Sequence, residues 1–94
     1  MARNANVALT AGTWTQLTAD DATTVCAQNK SSQDVIVMAT TSASAPAIGA
    51  KDGYTLKSGE SASFTLATAF PGLTSPVRMY ALSSIAATVF VSHD

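Results

Sequence analysis

The chain has 94 residues, 42 of them Ala, Ser or Thr, and only 12% are charged. One domain is all this length allows, which excludes a large enzyme with a deep cofactor domain, and the apolar content is too high for intrinsic disorder. A net charge of −1 leaves no electrostatic footprint for nucleic acid or an anionic membrane.

Residues 1–6 lack the apolar stretch of a secretory signal. They are expected as a flexible N-terminal arm, followed by a single β-domain over residues 7–94. The dominant pattern beyond the arm is period two, the signature of a strand with one buried face. Eight short strands are expected, near residues 6–10, 13–18, 23–29, 34–40, 53–56, 61–66, 77–82 and 86–91. Val7 and Leu9 share a face. Around Trp14 the apolar residues split between faces, with Trp14 and Gln16 opposite Leu17. Residues 23–28 are β-branched and small. Residues 34–40 are nearly continuously apolar, which predicts a central strand covered on both sides. A small-residue loop follows over residues 42–50. Ala62, Phe64 and Leu66 share one face, and residues 67–70 allow one helical turn. Val77, Met79 and Ala81 lie opposite Arg78, Tyr80 and Leu82. Val89 and Val91 lie opposite Phe90. Turn signals such as Asp52-Gly53, Ser58-Gly59 and Pro71-Gly72 separate these stretches, and Gly59 is the expected left-handed residue. The pattern predicts an all-β fold: a compact antiparallel β-sandwich, a jelly roll or a small barrel.

The longest strongly apolar run, residues 35–39, is far short of the roughly 20 residues that span a bilayer. A soluble chain with no membrane partner is expected. Chemistry is sparse. Cys26 has no internal disulfide partner and is expected as a small buried hydrophobe. His93, the one histidine, is expected to fray. One Cys and one His at this separation make no zinc site. Asp20 and Asp21 fit a turn better than a calcium loop, which follows an Asp-x-Asp-x-Asp-Gly pattern absent here. Ser92-His93-Asp94 has the residue types of a hydrolase triad, but adjacent strand residues alternate faces, so the geometry fails. No phosphate-cradling glycine motif occurs. The reading is a protein that is not an enzyme and holds no cofactor or metal.

Few charges and a small core leave strand edges poorly protected, which predicts self-association or a permanent partner. Arg3, Trp14, Arg78 and Tyr80 are the candidate interface residues, because Trp, Tyr and Arg concentrate at the energetic centres of interfaces and the N-terminal arm is free to add to a partner's sheet.

Several stretches carry a family resemblance. Val7-Ala8-Leu9-Thr10-Ala11-Gly12-Thr13-Trp14-Thr15-Gln16-Leu17-Thr18 resembles the start of small virion proteins of tailed bacteriophages. Residues 25–38, Leu56-Lys57-Ser58-Gly59-Glu60-Ser61, and residues 77–84 running into residues 89–93 share that look. The resemblance implies a capsid decoration, or cement, protein, a structural virion protein on the outer capsid surface, assembled in the host cytoplasm. It implies the phage major capsid protein as partner and a homotrimer as the assembly. Two alternatives stand beside it: a tail, baseplate or head-fibre component, and a carbohydrate-binding adhesion module stacking sugars on Trp14, Tyr54 and Tyr80.

Overall fold

A computed structural model describes residues 3–42 and 53–94. Among these residues eight strands form: β1 (Arg3–Leu9), β2 (Thr15–Gln16), β3 (Thr24–Asn29), β4 (Val35–Thr40), β5 (Tyr54–Leu56), β6 (Ser61–Thr65), β7 (Arg78–Leu82) and β8 (Ala87–His93). A single helical turn, α1 (Leu66–Ala69), continues directly from β6.

The pairing follows a simple rule. The chain folds back on itself, so that β1 pairs with β8, β2 with β7, β3 with β6 and β4 with β5, all antiparallel. That long double ribbon then rolls up. Two further antiparallel contacts, β3 with β8 and β4 with β7, close it into two four-stranded sheets of order β1-β8-β3-β6 and β2-β7-β4-β5. This is the strand order of an eight-stranded jelly roll, open at its edges as a sandwich rather than closed as a barrel.

Alternation decides which side chains enter the core. In β4, Val35, Val37 and Ala39 are buried while Ile36, Met38 and Thr40 are half-buried, as suits a strand with neighbours on both sides. Met79 and Ala81 enter from β7, Val89 and Val91 from β8, Val25 and Ala27 from β3, and Phe64 from β6. Leu17 and Leu66 complete the core and are fully buried. Gly59 adopts φ +77°, as its turn requires.

Several expectations need correction. Residues 3–6 belong to β1 and pair with His93 through Phe90, so the expected arm is strand from Arg3 onward. Cys26 is exposed, because Val25 and Ala27 take the inward positions on either side of it. His93 does not fray. It is the last residue of β8, buried, and sits in register with Arg3 and Val25. The regular strand around Trp14 shortens to Thr15–Gln16. The small-residue loop falls, from residue 43 on, outside the described residues.

Candidate interaction surface

The four candidate residues do not form one patch. Arg3 lies on the core-facing side of β1, half-buried, and its guanidinium donates to the Leu17 carbonyl at 2.8 Å. Arg78 donates from Nε to Asp21 at 2.8 Å and reaches Asp20 at 3.3 Å. The carboxylates that pair with Arg78 thus come from its own chain. Tyr80 is on the same face of β7 as Arg78, yet only 4% exposed, and its hydroxyl donates to Gln16 Oε1 at 2.9 Å. Gln16 is its cross-strand neighbour, which explains the contact. Trp14 immediately precedes β2 and is 9% exposed.

These residues largely hold the bend between β2 and β3 in place. The Leu17 N–H donates to the Met79 carbonyl and the Ala22 N–H to the Val77 carbonyl. The Ala19 N–H donates to His93 Nε2 at 2.9 Å, and Nδ1 of the same ring lies 2.8 Å from the Asp94 carbonyl oxygen. Both imidazole nitrogens thus face the backbone, and Ser92 lies on the opposite face of β8. The Asp94 carboxylate accepts from the Thr23 and Thr24 N–H groups, which hold its pKa below the ordinary 3.8. Asp20 is lowered too, first by the N–H of Asp21 and also by the nearby Arg78 charge.

Asn29, the last residue of β3, opens the polar stretch Asn29-Lys30-Ser31-Ser32. It is fully buried, and its amide makes four contacts. Nδ2 donates to the Gln33 and Leu56 carbonyls, while Oδ1 accepts from the N–H and hydroxyl of Ser31. Asn29 thereby locks the β3–β4 turn to the end of β5. No local pattern signals this, because the partner strand is 27 positions away.

A surface does emerge on the outer face of the β1-β8-β3-β6 sheet. The register places Asn4, Ser92, Cys26 and Ser63 in one row across all four strands. Asn6, Phe90, Gln28 and Ser61 form the next row. Thr24 beside Thr65 and Ala8 beside Thr88 extend it at the two ends. No position in the two central rows is charged, while the end rows run on to Asp94, whose carboxylate accepts from the Thr24 N–H, and to Lys30, whose N–H donates to the Thr88 carbonyl. Phe90 is the one large apolar side chain among them and is half-buried. Charged residues normally crowd a solvated protein surface, so two adjacent uncharged rows across four strands are distinctive.

At the Ala8–Thr88 end of this face a shallow cleft of about 450 Å³ lies between the end of β1, residues 30–32 and residues 85–88, with Lys30 its one charged residue and Ile85 exposed at its rim. Among the described residues no group of three or more His, Cys, Asp or Glu side chains is placed to hold a metal ion. No described helix is long and apolar enough to cross a membrane. The sugar-stacking alternative required at least two exposed aromatics on one face. Trp14 and Tyr80 are buried, leaving Tyr54, whose ring packs on Phe64 and Phe70 with centroids 5.6 Å and 5.2 Å away. Comparison with known protein families, with characterised proteins and with solved structures finds no match to this chain.

Proposed function

We propose that the chain is a structural binding protein that works by surface contact, and that its site of action is the outer surface of a phage capsid, where it bridges major capsid protein subunits. The observation that carries the reading is the pair of uncharged rows across the centre of the outer face of the β1-β8-β3-β6 sheet. A surface that must be buried against another protein pays heavily for every charge it strips of water. The centres of protein interfaces are accordingly depleted in charge. Ser, Thr, Asn and Gln on a sheet offer both donors and acceptors without that penalty. Repetition over a lattice adds avidity, since each added contact forms at the effective concentration set by the first. The phage assignment itself rests on the family resemblance of the strand-and-turn stretches.

The test is cryo-electron microscopy of purified particles together with quantitative mass spectrometry. The expected result is density on the head at a copy number matching the capsid lattice. Density confined to the tail or a single vertex overturns the capsid assignment and favours the tail or baseplate alternative. The face is tested separately by Ser63→Glu, which places a charge at an exposed position of β6. Particle binding is expected to weaken, with the fold retained by circular dichroism. Undiminished binding removes this face from the contact.

A further inference from the structure

We propose that β1 pairs with β1 of a second copy of this chain, antiparallel about a two-fold axis at Asn6. The sandwich has four edge strands: β1 and β6 in one sheet, β2 and β5 in the other. Unpaired edges are templates for another chain, and proteins blunt them by shortness, charge or proline. β2 has two residues and β5 three, so neither offers much ladder. β6 has five and runs straight into α1. β1 has seven residues and contains neither proline nor glycine. Its one charged residue, Arg3, is turned to the Leu17 carbonyl and guards nothing. Beyond its ladder with β8, the main chain of β1 has no hydrogen bond among the described residues.

The fold dictates the register. A partner strand must keep core-facing residues on the core side, so paired positions need the same parity. Among such registers, one engages all seven residues of β1. It sets Arg3 against Leu9 of the partner subunit, Asn4 against the partner's Ala8, Ala5 against the partner's Val7, and Asn6 against the partner's Asn6. No like charges then face each other. The two amides at the axis can hydrogen-bond reciprocally, each supplying a donor and an acceptor. Such an isologous pair is closed, so growth stops at the dimer. The uncharged Asn6-Phe90-Gln28-Ser61 rows of the two copies then join end to end. This pairing departs from the homotrimer that the family resemblance implies, and it stands independently of what that surface binds.

Crosslinking in a Cys26→Ser background tests the register. Directly opposed Cα atoms in an antiparallel pair lie about 4.5–5.5 Å apart, within disulfide reach of about 4.4–6.8 Å. Asn6→Cys is therefore expected to give a covalent dimer under mild oxidation. The two copies of Asn4→Cys would sit about 14 Å apart along the ribbon and are expected to stay unlinked. Sedimentation of the unaltered chain is expected to show twice its 9.6 kDa mass. Asn6→Lys alone is expected to weaken the dimer about fivefold by like-charge contact at the axis. Mixing it with Asn6→Glu is expected to restore association, which separates a broken interface from a broken fold. A monomeric or trimeric mass, equal linking at positions 4 and 6, or a mixture that fails to recover would each overturn the proposal.

Discussion

The N–H of Ala19 donates a 2.9 Å hydrogen bond to Nε2 of His93, 74 positions further along the chain. That bond makes Nε2 an acceptor and puts the ring proton on Nδ1, beside the Asp94 carbonyl. It pins the bend between β2 and β3 to β8, while Arg3 pins Leu17 to β1. Replacing His93 with Leu leaves the Ala19 N–H without its acceptor, so His93→Leu is expected to cost about 2 kcal/mol in urea unfolding. His93→Gln, whose amide oxygen can accept, is expected to recover part of that loss. Equal costs for the two variants would mean that ring packing, not the hydrogen bond, holds the bend.

Acid should act through Asp94. Its carboxylate accepts from the Thr23 and Thr24 N–H groups, which lower its pKa from the ordinary 3.8. A folded pKa below the unfolded one means stability that is complete above the unfolded value and lost as pH falls through the folded one. Asp20, lowered first by the Asp21 N–H, acts with the same sign. Unfolding midpoints are therefore expected to decline below about pH 5, in the carboxylate range. Asp94→Asn should flatten that decline while leaving a residual slope from Asp20. An unchanged pH profile in Asp94→Asn would show that the two backbone contacts do not persist in solution.

Asn29 is a stricter case. Its buried amide donates to the Gln33 and Leu56 carbonyls and accepts twice from Ser31. Asn29→Asp keeps the shape but turns both donors into an acceptor facing two carbonyls. It is expected to cost about 3 kcal/mol or more at neutral pH and to lose less in acid, as the carboxyl protonates. Denaturant midpoints across pH measure both effects. A loss independent of pH would count against this account.

Faces were legible where strands alternate. Met79 against Tyr80, Val89 and Val91 against Phe90, and Phe64 with Leu66 follow directly from period two. So did the turn at Gly59. Contacts made by folding distant strands together were not legible. Cys26 reads as a buried thiol by residue type, but its place between Val25 and Ala27 turns it outward. Arg78 reads as an interface charge, but Asp20 and Asp21 arrive beside it from 58 and 57 positions away. The same residue types that anchor interfaces also anchor interiors, so Trp14, Tyr80 and Arg78 were ambiguous until their partners were placed. The uncharged centre of the β1-β8-β3-β6 face was present in the composition as a shortage of charge. Its location required the register of four strands.

Trp14 carries an unusual cost. Its indole N–H is buried without a hydrogen-bond partner among the described residues. Trp14→Phe removes that donor together with part of the ring, and the two effects oppose each other. It is expected to change stability by no more than about 1 kcal/mol, against about 3–5 kcal/mol for Trp14→Ala. The same burial predicts blue-shifted Trp fluorescence that neutral oligosaccharides do not quench. Quenching on glycan titration would reopen the adhesion reading.

Gly53 sets up the β4–β5 pairing from one residue before Tyr54, which lies opposite Val37. Its φ is +155°, and a Cβ there would fall 2.3 Å from the Val37 carbonyl oxygen and 3.1 Å from Ile36 Cγ2. The nearer atom is backbone in a central strand, so it cannot withdraw without loosening the ladder. Tyr54 depends on this placement, since its hydroxyl donates to the Ala69 carbonyl and its ring packs on Phe70. Gly59 provides the control. It has φ +77° but nothing within 4 Å of a would-be Cβ, so Gly59→Ala carries the conformational penalty alone, about 1 kcal/mol. Gly53→Ala is expected to cost at least about 2 kcal/mol, because the collision adds to the strain. Thermal and urea unfolding of the two variants make the comparison. Equal losses would mean that the β5 backbone shifts freely away from Val37, and that the approach at Gly53 is not what fixes the register of the β4–β5 pair.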